Sequence, residues 1–117
     1  MKKKRPRKKQ PKKGTKAYTK WRAKVDARNA LTKWSKEVRE AVQYKCQVCG
    51  RADKTNAHHL LPKENYQEWA LDFNNGICLC PLHHKFGKYS FHKNGIWAAI
   101  WLEKNKPEAY IYCKERF

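Results

Sequence analysis

Apolar residues recur at helical spacing in the first third of the chain. Leu31, Trp34, Val38, Ala41 and Val42 follow one another at intervals of three, four, three and one, which puts them on one face of a helix. Lys33, Lys36, Glu37 and Glu40 fall mainly on the other side, and no Pro or Gly interrupts residues 15–45. Thr32 is a possible cap, but Leu31 suggests an earlier start, so Trp21, Val25 and Arg28 form either a preceding helix or an extension of the same one. The segment Cys46-Gln-Val-Cys49-Gly50 breaks the pattern. Ala57 to Leu61 reads as a strand closed by Pro62, and Glu64 to Leu71 as a short helix or irregular loop. Asn74-Asn75-Gly76 signals a turn into a second strand, Ile77 to Leu79. Pro81 suits the first turn of a helix carrying His83 and His84. Asn94 caps a helix from about Gly95 to Lys104, with Ile96/Ile100 and Trp97/Trp101 spaced i,i+4, and Pro107 opens a last helix through Tyr110 and Ile111. No internal repeat is present.

At 117 residues the chain fits one compact domain, and its five Trp, six Tyr and four Phe supply bulky apolar surface for a small core. Chains this short commonly rely on a metal or another staple. The net charge of +18 is unevenly placed: residues 1–24 hold 13 of the 28 basic side chains and none of the 10 acids. Residues 1–14 have Met1 as their one apolar side chain and are expected to be a disordered basic arm, leaving 15–117 as the folded domain. Such an arm, Arg5 and Arg7 included, favours a polyanion through counterion release, so nucleic acid is its expected partner; a solubilising tail is the bland alternative. The longest apolar stretch, Ile96 to Leu102, is far too short to span a membrane, and no signal-peptide core follows the basic start. The expected location is therefore cytoplasmic, in a bacterial, archaeal or phage-infected cell.

Five cysteines in a reducing compartment point to metal-bound thiolates rather than disulfides. Cys46 and Cys49 form a C-x2-C pair, and Cys80 and His83 repeat that spacing about thirty residues later. Two such pairs can close one tetrahedral zinc ion, and four protein ligands leave no position for water, so the site is expected to be structural. Cys78 competes with His83 as the fourth ligand, because a strand residue two positions from Cys80 shares its face. Cys113 stands apart and is expected to be a buried thiol.

His58-His59 and His84 remain outside that zinc set. Neighbours on a strand point to opposite faces, so His58 and His59 can serve one site only if a bulge or strand end re-aims one of them. Here the sequence resembles the HNH nuclease family, the ββα-metal or His-Me finger endonucleases. The matching residues are Cys46-Gln-Val-Cys49-Gly50, Ala57-His58-His59-Leu60-Leu61-Pro62, Asn75-Gly76-Ile77-Cys78-Leu79-Cys80 and Pro81-Leu82-His83-His84-Lys85, with Trp34 to Arg39 resembling the introductory helix. The resemblance covers about residues 32–88, with a motif core at 46–88 and C-terminal helices at 94–115. It departs at His83, where the family commonly has Cys.

The resemblance implies a small α+β fold: a ββα-metal finger braced by zinc knuckles and flanked by helices. It also implies that His59 is the general base, His58 and His84 are ligands of a catalytic divalent ion, and Asn75 orients the loop and the base. The expected activity is DNA endonuclease, giving 5′-phosphate and 3′-hydroxyl ends, by nicking one strand or cutting both. Mg²⁺ is the ion the family implies. A histidine pair is softer than the more usual Asp/His pair, so Mn²⁺, Co²⁺ or Ni²⁺ is expected to work as well or better. Lys85, Lys88 and Lys93 are candidate strand contacts. His92, two turns beyond His84 on a continuous helix, is read as too far for the same ion, and Trp97/Trp101 as core rather than a base-stacking platform, since Ile96 and Ile100 share their spacing. The expected assembly is a monomer or weak dimer, and small proteins of this kind are associated with phages and mobile elements. The rival reading is a non-catalytic zinc module that only binds nucleic acid.

Overall fold

The computed structural model describes residues 10–117. Arg5 and Arg7 lie outside the described residues, as does most of the expected basic arm. The chain divides into two compact units, Met1–Ala30 and Leu31–Phe117. Helix α1 (Lys16–Glu40) is continuous, so Trp21, Val25 and Arg28 lie on an extension of the helix that carries Trp34. Within the first unit Thr15 caps the start of α1, its hydroxyl accepting the Tyr18 N–H at 3.1 Å. The exposed Arg22–Asp26 pair at 3.2 Å follows the i,i+4 rule and adds little.

The second unit is a small α+β assembly. Strands β1 (Asn56–His59) and β2 (Gly76–Leu79) pair antiparallel, with His58 opposite Ile77 and His59 opposite Gly76. The chain between them forms two short 3₁₀ turns, Gln67–Trp69 and Phe73–Asn75. After β2 comes a single five-residue π turn, Leu82–Phe86, where an ordinary helix was expected; it ends with the Gly87 N–H bonded to the Leu82 carbonyl at 2.7 Å. Helix α2 (Gly95–Asn105) begins at Asn94, whose side chain accepts the Trp97 N–H at 3.0 Å, and α3 (Pro107–Lys114) begins at the expected proline.

The core gathers Cys46, Ile77, Leu79, Cys80 and Leu102, with Phe91, Trp101 and Tyr110 packed on it. Helix α2 buries Ala98 and Leu102. Ile96 and Ile100 do not join the core: they are 78 % and 62 % exposed. Their i,i+4 spacing put them on one face of α2, but that face turns outward while Trp97 and Trp101 pack on Phe91 with centroids 5.8 and 6.1 Å away. Cys113 is buried, as expected of a lone thiol.

Asp72 ties three parts of this unit together. Its carbonyl accepts the Trp34 indole N–H at 2.8 Å, and its carboxylate accepts the Tyr112 hydroxyl at 2.7 Å and the Asn74 N–H at 3.0 Å. Burial, followed by that bond to Asp72, pushes the Tyr112 hydroxyl up to about 12, so it stays a donor at neutral pH. Helix α1 packs tightly on β2 at Gly76, where an added Cβ would clash with the side chains of Val38 and Trp34. Gly76→Ala should therefore cost about 1–3 kcal/mol in urea unfolding through overpacking. Gly95→Ala, where a Cβ meets nothing within 4 Å, should leave stability unchanged or slightly higher.

Candidate metal centres and active site

Two clusters of donor atoms lie beside the β1–β2 pair. The first joins Cys46, Cys49, Cys80 and His83, whose ligand atoms all fall within 4.8 Å of one another. Cys49 Sγ lies 3.7 Å from Cys80 Sγ, and His83 Nδ1 lies 3.8 Å from Cys46 Sγ and 3.3 Å from Cys80 Sγ. A tetrahedral ion with bonds of about 2.3 Å to sulfur and about 2.0 Å to nitrogen spaces its ligands by roughly 3.5–3.8 Å. The cluster therefore fits a metal ion such as zinc.

Local backbone geometry builds this cluster. Gly50 takes a left-handed φ of +80°, and its N–H closes the knuckle on the Cys46 carbonyl at 2.7 Å. Gln47 pins the knuckle to β2: its N–H bonds the Cys78 carbonyl and its side-chain oxygen accepts the Cys78 N–H, both at 2.9 Å. Burial raises the Cys46 thiol, but backbone N–H donors from Cys80, Cys49 and Val48 outweigh it and hold the group below its ordinary value. Burial lowers the His83 imidazole, which favours the neutral, ligating form. Cys78 stands outside the four-donor group; it is fully buried, and that burial raises its thiol.

The second cluster joins His58, His84 and His92, again with ligand atoms within 4.8 Å. The ring centroids lie 5.1 Å apart for His58 and His84, 4.9 Å for His58 and His92, and 4.7 Å for His84 and His92. Burial first, then the neighbouring imidazoles and Lys85, push His58 down to about 3. Burial, His92 and Lys85 likewise push His84 down to about 4. Both are neutral at pH 7, the form that offers a lone pair to a cation. The sequence expectation for His92 is overturned. The turn holding His84 ends at Gly87, which is extended, so the chain doubles back instead of continuing for two helical turns. Gly87 was the signal in the sequence, a helix-breaking residue between the two histidines.

His59 occupies the last pair of the strand, and its ring lies apart from the three-histidine group. It stacks face to face on Trp34, with centroids 3.9 Å apart and planes 7° from parallel. Its Nε2 lies 2.8 Å from the Ala70 carbonyl oxygen. That oxygen can only accept, so Nε2 carries a proton, and the neutral tautomer compatible with this bond has its lone pair on Nδ1. His58 and His59 nevertheless line one cavity of about 520 Å³, together with Glu64, His84, Lys85 and His92. Neither the Trp34 stack nor the Ala70 carbonyl left a pattern in the sequence, since each joins residues far apart along the chain.

Asn75 is fully buried, and its side-chain hydrogen bonds run to backbone groups. Its side-chain oxygen accepts the Leu61 N–H at 2.7 Å, and its amide donates to the carbonyls of Leu61 and Trp69, both at 3.1 Å. It thus holds both ends of the loop that presents Ala70 to His59. Among the candidate lysines, Lys85 lines the cavity, Lys88 lies over the Tyr89 ring at 5.5 Å, and Lys93 donates to the Phe86 carbonyl at 3.2 Å.

Residues 46–92 match the family model described as HNH endonuclease. No curated protein and no solved structure gives a significant match. The matched span contains both metal clusters, His59 and Asn75. Among the described residues no helix is long and apolar enough to cross a membrane.

Two outcomes follow from this geometry. Asn75→Ala leaves the buried Leu61 N–H without its partner and should cost about 1–3 kcal/mol in urea unfolding. His58 and His84 resist protonation when folded but accept it when unfolded, so stability is full above pH 6.5 and falls as pH drops toward about 4 and then about 3. Urea midpoints between pH 7 and 5 should show that decline, with a shallower slope in His58→Gln.

Proposed function

We propose, on the premise that residues 46–92 are an HNH endonuclease segment, that the chain is a metal-dependent DNA endonuclease built on a ββα-metal finger. The Cys46, Cys49, Cys80 and His83 cluster holds a structural zinc ion. The cavity between β1 and the Leu82–Phe86 turn holds a catalytic divalent ion on His58 and His84; Mg²⁺ is the ion the family implies, and the softer histidine pair suits Mn²⁺ or another divalent transition ion as well or better. One observation carries this reading: a separate histidine cluster stands beside a complete four-donor site, inside a cavity that His59 also lines. A module that only binds nucleic acid leaves that second cluster without a role.

His59 is the general base. Its Nε2–H bond to Ala70 fixes the tautomer, so Nδ1 is the atom that takes a proton from water. Trp34 holds the ring plane, and Asn75 holds the loop that supplies the Ala70 carbonyl. The activated water attacks phosphorus, the P–O3′ bond breaks, and the leaving 3′ oxygen takes a proton from solvent water, so the products are 5′-phosphate and 3′-hydroxyl ends. A divalent ion bound at the histidines supplies Lewis-acid stabilisation of the charge that develops on the phosphoryl oxygens and the leaving 3′ oxygen. Lys85, at the cavity wall, meets the phosphate backbone, with Lys88 and Lys93 extending that contact, and the basic charge of Arg5 and Arg7 adds to the attraction for a polyanion.

Supercoiled plasmid incubated with the protein and Mg²⁺ or Mn²⁺ should be relaxed or linearised, and EDTA should stop it. His59→Ala, folded and still carrying its zinc, should cut at least about 100-fold more slowly. Cutting by that variant at the parent rate would remove His59 as the base.

A further inference from the structure

His92 has no part in the mechanism above, yet its position is held by several bonds. After Gly87 the chain returns through Ser90, which is fully buried. The Ser90 hydroxyl accepts the Lys93 N–H at 3.1 Å and donates to the Lys85 carbonyl at 3.5 Å. Two backbone bonds then lay this segment against the π turn. The Phe91 N–H donates to the His83 carbonyl at 2.8 Å, and the His92 N–H donates to the His84 carbonyl at 3.1 Å. These bonds bring His92 Nε2 to 3.1 Å from His84 Nε2. Bonds of about 2.0–2.1 Å from one ion to two nitrogens place those nitrogens roughly 3.0–3.4 Å apart. The His92 ring is also 4.9 Å from that of His58, so three nitrogens converge from β1, the π turn and the returning segment. Glu64 lines the same cavity but is not among the converging donors.

We propose that His92 is a third protein ligand of the cavity ion, making an all-imidazole centre that selects borderline transition ions such as Co²⁺ and Ni²⁺ over Mg²⁺. The inference rests on the reading of this cavity as the catalytic centre and adds to it a ligand and an ion class. Mg²⁺ takes oxygen ligands and keeps much of its water, and a site whose converging donors are three imidazole nitrogens gives it little to bind. Imidazole suits nickel and its neighbours, whose affinity rises across the first-row series. Replacing one histidine by a carboxylate should move that preference toward Mg²⁺ and Mn²⁺.

The test is calorimetric titration of Ni²⁺ and Mg²⁺ into the full chain, with its zinc content measured before and after. In the parent protein Ni²⁺ should bind one equivalent beyond the zinc, and millimolar Mg²⁺ should not displace it. His92→Gln should weaken Ni²⁺ at least tenfold while zinc content is unchanged. His92→Asp should restore binding, with the Ni²⁺-to-Mg²⁺ preference reduced at least tenfold; this variant decides the matter if His92→Gln does not fold. Ni²⁺ affinity within twofold of the parent in His92→Gln would mean that the His84–His92 contact is a hydrogen bond alone, and would overturn the inference. Plasmid cleavage separates the two readings. Cutting by the parent protein alongside unchanged Ni²⁺ binding in His92→Gln leaves the nuclease and removes the third ligand. Weakened Ni²⁺ binding with no cutting under any ion leaves the ligand and removes the nuclease.

Discussion

Four soft donor atoms converge from two chain segments about thirty residues apart, and the site beside them depends on that convergence. Cys46 and Cys49 arrive on a knuckle bonded to β2 through Gln47, while Cys80 and His83 arrive at the end of β2 and the turn beyond it. Three sulfurs and an imidazole whose ligand atoms all fall within 4.8 Å of one another could hold a metal ion such as zinc. In a domain with so small a core, such a staple would fix the start of the π turn more firmly than apolar packing alone could. His84 follows His83 directly, and the carbonyls of those two residues receive the N–H groups of Phe91 and His92. The position of the first cluster is thereby passed on to the second through one covalent step and two hydrogen bonds.

The opposite flank of the sheet is set by a different constraint. Gly76 leaves room for Trp34 and Val38 to reach the backbone of β2, and Trp34 then lies flat on His59, the residue paired with Gly76. Asp72 anchors the Trp34 indole, while Asn75 holds both ends of the loop that offers Ala70 to His59. His58 and His59 consequently live in contrasting surroundings. His58 sits among other imidazoles and Phe91, which favours the neutral ring. His59 is held between an aromatic plane and a carbonyl, which fixes a ring and a tautomer.

Much of this could be read from residues close together in the chain. The C-x2-C and C-x2-H spacings identify a four-donor set because three-residue offsets on tight turns bring ligand atoms within reach of one ion. Paired histidines before Leu60-Leu61-Pro62, and the Asn75-Gly76 turn, carry both the hairpin and the resemblance to HNH nucleases. Knuckle spacing favoured His83 but did not exclude Cys78, because strand parity lets Cys78 share a face with Cys80; in the structure Cys78 sinks into the core and His83 reaches the cluster. Helix α2 shows the complementary limit: i,i+4 spacing grouped Ile96 with Ile100 but could not say whether that face turns inward.

The amino-acid sequence by itself determined which donors exist, their order, and the short offsets that group them, since those follow from local backbone geometry. Only the tertiary structure decided that His92 joins His58 and His84, because the chain reverses at Gly87 and is held by the buried Ser90 and two backbone hydrogen bonds. It also decided that Trp34 stacks on His59, a contact between residues 25 positions apart that depends on the missing side chain at Gly76. Spacing reports what a few consecutive residues can reach; the return path of the chain is chosen by burial and by the pairing of backbone groups that no short window contains.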